Sequence, residues 1–163
     1  MKNQKKRFCF SAIMLTLIVA CSVFYYVSYA NYYEGRNTEE NNHAYSIFLL
    51  TQTSIQSIEE SEIEDNFILS SSDKYKIDFK NDNEIYKEMD KWAETNNIDY
   101  KNGSYYIEIR NKKVYKVICA KWLYSGFSGS YPNSNTTCDS FKKLADKAFS
   151  EFSEECDTGK MVD

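Results

Sequence analysis

Lys2, Lys5, Lys6 and Arg7 precede 23 consecutive uncharged residues, Phe8 to Ala30. A helix needs about 20 apolar residues to cross a bilayer, so this run spans one with room for tilt. A buried core helix is the competing reading, and the terminal position and basic flank count against it. Lys and Arg beside a span stay on the cytoplasmic side. The sequence therefore predicts a single-pass membrane protein with a cytoplasmic N-terminus and an extracytoplasmic remainder, its membrane contact made through residues 8–30.

Three processing outcomes stay open. Val27-Ser28-Tyr29-Ala30 offers a small-x-small site for cleavage after Ala30. The apolar stretch is longer than the ~7 to 15 residues usual in a signal peptide, which favours an uncleaved anchor. Ile18-Val19-Ala20-Cys21 is similar to a bacterial lipobox, which makes Cys21 a lipidation candidate. Ser22 to Tyr29, the residues after that cysteine, are apolar rather than a hydrophilic tether.

Charge then divides the rest of the chain. Residues 31–65 hold eight acids against Arg36 alone, whereas 66–163 hold 15 basic and 16 acidic residues. The organisation expected is a signal-anchor or transmembrane helix over 1–30, an acidic amphipathic stalk over 31–65, and a small α+β domain over 66–163. Ala44, Phe48, Thr51, Ile55 and Ile58 recur at helical spacing, which predicts a helix over 42–64. Phe48, Leu49, Ile55 and Ile58 are expected to pack on the chain's own domain, with self-association through a short seam as the alternative. The acids at 59–65 lack the ligand order of a calcium loop.

Within 66–163, Tyr75, Ile77 and Phe79 alternate with polar residues, predicting a strand over 74–80. Asn81 with Glu84 resembles a capping box opening a helix on Ile85, Met89, Trp92 and Ala93. Asn102-Gly103 is the strongest hairpin signal. It predicts strands at 98–101 and 104–110, followed after Asn111-Lys112 by a third at 113–122. Tyr105, Ile107 and Ile109 should face one way, with Tyr106, Glu108 and Arg110 opposite. Residues 125–137 read as a surface loop, and Tyr124, Phe127 and Tyr131 in it are the candidate recognition surface. A last helix over 138–156, capped by Thr136 or Thr137, carries an apolar stripe of Phe141, Leu144, Ala145, Ala148, Phe149 and Phe152.

Export makes disulfides the expectation for Cys119, Cys138 and Cys156. Cys138 and Cys156 stand 18 residues apart on one predicted helix, roughly 27 Å at the helical rise, too far to bridge. Cys119 is thus expected to pair with one of them. His43 is the only histidine, no cysteine spacing suits zinc, and Gly126-Phe127-Ser128-Gly129 is one residue short of a nucleophile elbow. No catalytic residue, metal or cofactor is expected. An acidic exported part also argues against nucleic acid as a partner. Asn102-Gly103-Ser104 and Asn135-Thr136-Thr137 are glycosylation sequons.

The fold class expected is α+β: an N-terminal transmembrane helix, an amphipathic stalk helix, and a small antiparallel sheet packed with two helices. The functional class expected is a membrane-anchored, extracytoplasmic, non-enzymatic interaction or assembly protein with a protein partner or self-association. A lipoprotein or secreted ligand-binding domain is an alternative. The basic leader, apolar helix running into an amphipathic one, antiparallel sheet and cysteine-bearing C-terminal region together resemble type IV pilins and pseudopilins across the whole chain. Those families place Gly before their cleavage site and Glu five residues into the mature helix, positions that here hold Arg7 and Ala12. The resemblance implies a subunit of a surface filament or secretion apparatus.

Overall fold

A computed structural model describes residues 2–59, 62–77, 82–121, 126–135 and 139–158. Its elements, in chain order, are α1 (Lys2–Gln56), β1 (Phe67–Ser70), α2 (Asp82–Asn96), β2 (Ser104–Arg110), β3 (Lys113–Ala120), β4 (Gly129–Tyr131) and α3 (Phe141–Thr158). The fold is α+β, with one long apolar N-terminal helix. The chain divides into two compact units, Met1–Gly35 and Arg36–Asp163.

In the first unit, every described residue from Met14 to Tyr32 is exposed. Backbone bonds are closed within the helix, and the Ser22 hydroxyl donates to the Ile18 carbonyl at 2.8 Å. The exposed surface is thus largely apolar, and its backbone is satisfied within the helix, as a span requires.

The second unit is built on a four-stranded antiparallel meander in the order β1-β2-β3-β4. One face carries Phe67, Leu69, Tyr105, Ile107, Ile109, Val117 and Cys119. It packs on Ala44, Ile47, Leu50 and Ile55 of α1 and on Ile85, Met89 and Ala93 of α2. The other face carries Ile68, Tyr106 and Ile118, packed on Ala145, Ala148 and Phe152 of α3. The alternation expected for β2 is observed, and each large side chain so buried stabilises the unit by about 1.5–3 kcal/mol. On α1, Phe48 is partly buried and Ile55 fully so, whereas Leu49 is exposed; Ile58, just past the helix end, is partly buried on the same core.

Several expectations need correction. α1 runs without interruption from Lys2 and stops at Gln56, not at 64. Its last turn has no basic residue, and Glu59, Glu62 and Glu64 come next, charges that the negative end of a helix dipole repels. No strand forms at 74–77: Tyr75 lies in a turn closed by Tyr75 N–H to Ser72 C=O at 3.1 Å, and 78–80 lie outside the described residues. The place beside β2 is taken by Phe67–Ser70, four successive buried residues. Such a run lacks alternation because both of its faces are covered.

Residues 98–101 form no strand either. Asn97 takes φ 54°, with Ile98 N–H bonded to Ala93 C=O at 2.9 Å and Asn97 N–H to Glu94 C=O at 3.4 Å. That is a Schellman end to α2. Asn102-Gly103 is therefore a helix-to-strand connection. The two-residue hairpin is Asn111-Lys112, with φ 47° and 60°, between the paired Arg110 and Lys113, the type I′ geometry. Gly103 is required by close packing, since a Cβ there would stand 2.6 Å from the Ala120 carbonyl oxygen. The 125–137 segment contains β4. The cap of α3 is Ser140, whose Oγ accepts from Lys143 N–H at 3.4 Å; Thr136 and Thr137 lie outside the described residues.

Candidate functional site

Two regions concentrate unusual side chains. The first is the exposed face of α1 in the first unit. Phe24, Tyr25 and Tyr26 are all more than 70% exposed. Tyr25 stacks on Tyr29 at 6.1 Å between ring centroids, Tyr29 meets Tyr33 at 4.2 Å, and the Tyr29 hydroxyl bonds to that of Tyr33. A concavity on this surface is lined by Ala20, Cys21, Phe24, Tyr25 and Ser28. Cys21, the lipidation candidate, is an exposed free thiol there.

The second region is the docking of α1 against β3, β4 and the residues just after β4. Asn41 accepts from Ser130 N–H at 2.9 Å and Asn135 N–H at 3.0 Å, and donates to the Asn135 carbonyl at 2.9 Å. Glu40, 3% exposed, accepts the Lys121 N–H at 3.0 Å. Its neighbour Glu39 pairs with Lys121 Nζ at 3.2 Å. Asn41 thereby closes the outer edge of β4, where an open strand would invite pairing.

This docking decides the fate of the predicted loop surface. Tyr131 packs its ring against Tyr45 and Phe48 at 4.9 and 4.6 Å, Phe127 is half-buried, and Tyr124 lies outside the described residues. Tyr131 belongs to the helix-sheet contact rather than to a free aromatic patch. Ser128 is buried and donates to the Asp139 carbonyl at 2.6 Å. Asn135, 7% exposed, donates to the Ser128 carbonyl at 2.8 Å, so its sequon's amide is already engaged.

The disulfide expectation is corrected. Cys119 and Cys156 are free thiols, and Cys138 lies outside the described residues. Cys119 faces α1, fully buried, with its Sγ 3.6 Å from the Glu40 carbonyl oxygen. Burial pushes both thiols up from their usual range. Cys156 is exposed on α3, across the sheet, so the sheet itself separates the pair. Because β3 alternates, a cysteine at 119 points away from α3.

Sequence reasoning missed the buried charges beneath α3. Arg110, 9% exposed, donates from Nε to Glu108 Oε1 at 2.5 Å, and its Nη1 lies 2.5 Å from Glu155 Oε2. The guanidinium also lies over the Tyr115 ring at 4.0 Å. Tyr106 donates to Glu108 Oε2 at 3.4 Å. Tyr115 is the extra residue of a bulge that shifts the register between Glu108 and Ile109. The signal available was Val114 and Val117, whose three-residue spacing breaks strand alternation.

Among the described residues of the folded unit, three clefts bear on function. One lies at the end of α2 by Asp90, Tyr100 and Lys101, about 270 Å³. A second, about 210 Å³, lies between α3 and the β3–β4 edge, with Ile118, Leu144 and Ala148 at its apolar wall and Lys116, Lys147 and Glu151 at its rim. The third, about 290 Å³, lies beside Gln52, Ile58 and Lys112. All are smaller than the ~300–1,000 Å³ common to small-molecule sites. Among the described residues no group of three His, Cys, Asp or Glu side chains could hold a metal ion. No family model matches this sequence, and no curated protein or solved structure matches the chain.

Proposed function

We propose that this chain is a single-pass membrane-anchored protein that works through interaction or assembly rather than catalysis, with its folded unit extracytoplasmic. The observation that carries the reading is α1. It is long and apolar enough near the N-terminus to cross a membrane, and no part of its most apolar window is buried. So much exposed apolar surface on a monomer marks a membrane or partner contact, and the basic flank at 2–7 sets the orientation. The test is protease protection of sealed membranes carrying the full chain. Digestion of the folded unit from the extracytoplasmic side only is expected; a soluble chain, or digestion from the cytoplasmic side, refutes the proposal.

The filament-subunit reading has its own support. In α1, a terminal apolar helix leads directly into residues packed under an antiparallel sheet, the layout that resembles pilins and pseudopilins. The exposed thiol of Cys21 provides a reporter. If copies assemble through this helix, oxidation in membranes yields Cys21-linked dimers that the Cys21→Ser variant loses. Monomer at every expression level, by this and by lysine crosslinking, removes the filament reading and leaves the anchored module.

A further inference from the structure

We propose that Tyr25, Tyr26, Tyr29, Tyr32 and Tyr33 form a lipid-interface site, a tyrosine face that seats among the headgroups and glycerol carbonyls of the outer leaflet and sets where the span ends. The inference rests on the anchored reading above and deepens it. From Phe8 to Phe24 there is no tyrosine; between Tyr25 and Tyr33 five of nine residues are tyrosine. At about 100° per residue these five fall within an arc of roughly 120°. Ser28, Asn31 and Glu34 lie on the remaining side, together with Val27 and Ala30. The helix is thus two-sided where it leaves the apolar segment.

A phenol has an apolar ring and a hydroxyl that must be hydrogen-bonded, so it is most stable where hydrocarbon meets water. Four of the five rings are 48–72% exposed, and Tyr25 and Tyr29, Tyr29 and Tyr33, and Tyr32 and Tyr33 meet ring to ring along the helix. From Arg7 to Tyr29 the helix advances 22 residues, about 33 Å. A tilt of about 20° projects this to roughly 31 Å, the hydrocarbon thickness between two interfaces. Arg7 then lies at the inner boundary and Tyr29 at the outer. Tilt also explains one-sidedness: the face turned toward the bilayer meets the interface over a longer stretch than the opposite face, which holds no tyrosine.

Depth-dependent quenching of full-length protein in phosphatidylcholine/phosphatidylglycerol vesicles tests this. Trp is introduced as Tyr29→Trp, Leu17→Trp or Asn31→Trp, and quenching is read against the parent, whose Trp92 and Trp122 give the baseline. Tyr29→Trp should be quenched several-fold more by headgroup nitroxide than by lipids brominated at the chain terminus, with Leu17→Trp the reverse. Asn31→Trp should respond to aqueous iodide more strongly than Tyr29→Trp. Tyr29→Trp quenched best by deep bromines overturns the interface site while the anchor stands. The same holds if it is quenched by neither label while Leu17→Trp responds, because the face is then covered by protein. If no position responds to any lipid quencher, the anchored reading itself fails.

Discussion

A Cβ on Gly129 would stand 1.9 Å from the carbonyl oxygen of Glu40, with the Asn41 nitrogen 2.6 Å away. These are backbone atoms of α1, which cannot rotate aside as a side chain could. Gly129→Ala must therefore lift β4 from the helix or shift both, at a cost of about 3 kcal/mol. Chemical denaturation of the detergent-solubilised chain measures it; an unchanged midpoint refutes the close approach.

Asn41→Ala removes one acceptor that two N–H groups share and the donor to the Asn135 carbonyl. Each buried group left unpaired costs about 1–3 kcal/mol. The expected signature is local: the amides of Ser130 and Asn135 should exchange with solvent far faster, while those of β2 change little. Uniform acceleration across the sheet would contradict this.

Beneath α3, Arg110→Met leaves the buried Glu108 carboxylate without its cation. Breaking one partner of such a pair costs about 3–5 kcal/mol. Pairing Arg110→Met with Glu108→Gln removes the stranded charge and should recover most of the loss. A double variant as unstable as the single one would show that packing of the Arg110 stem, not charge, dominates.

Thiol labelling discriminates the cysteines. In the folded protein Cys156 should be alkylated by a neutral reagent, whereas Cys119, fully buried, should react only after unfolding. Peptide mapping without reduction should recover both as thiols. A bridged Cys119 would overturn its placement against α1.

The acid side of the stability profile should register Asp146. Its carboxylate accepts from Lys74 Nζ and, at 2.8 Å, from the Tyr75 hydroxyl, which holds it below the ordinary aspartate value of 3.8. A depressed carboxylate contributes stability that is complete above its unfolded value and disappears as pH falls through its folded one. The Tm difference between parent and Asp146→Asn should hence be constant near neutrality and shrink below pH 3.8. Solvent screening keeps it small. A difference that grows on acidification would reverse the assignment.

What the sequence disclosed depended on whether local and tertiary preferences agreed. The stripe on α3 was readable because Phe141 to Phe152 repeat at helical spacing and meet a single sheet face. Ile85, Met89 and Ala93 were readable for the same reason. Asn102-Gly103 misled because its glycine answers to the Ala120 carbonyl across the sheet, whereas the reversal expected at Asn111-Lys112 is the hairpin observed. Phe67–Ser70 lacked any period, being covered on both sides. Tyr131 looked free because its partners, Tyr45 and Phe48, lie more than eighty residues earlier. Glu108 and Arg110 were legible as sharing a strand face with Tyr106; only the position of α3 makes them a buried pair.

The order of synthesis gives the α1 docking a further consequence. Asn41 and its partner Asn135 are 94 residues apart, so at about 5–20 residues per second the helix waits roughly 5–19 s for the strand it clasps. Until β1, β2 and β3 follow within that interval, Ala44, Ile47 and Leu50 have no sheet to cover them. Their protection has to come from outside the chain, and a nascent chain stalled before β2 is the species most exposed to aggregation.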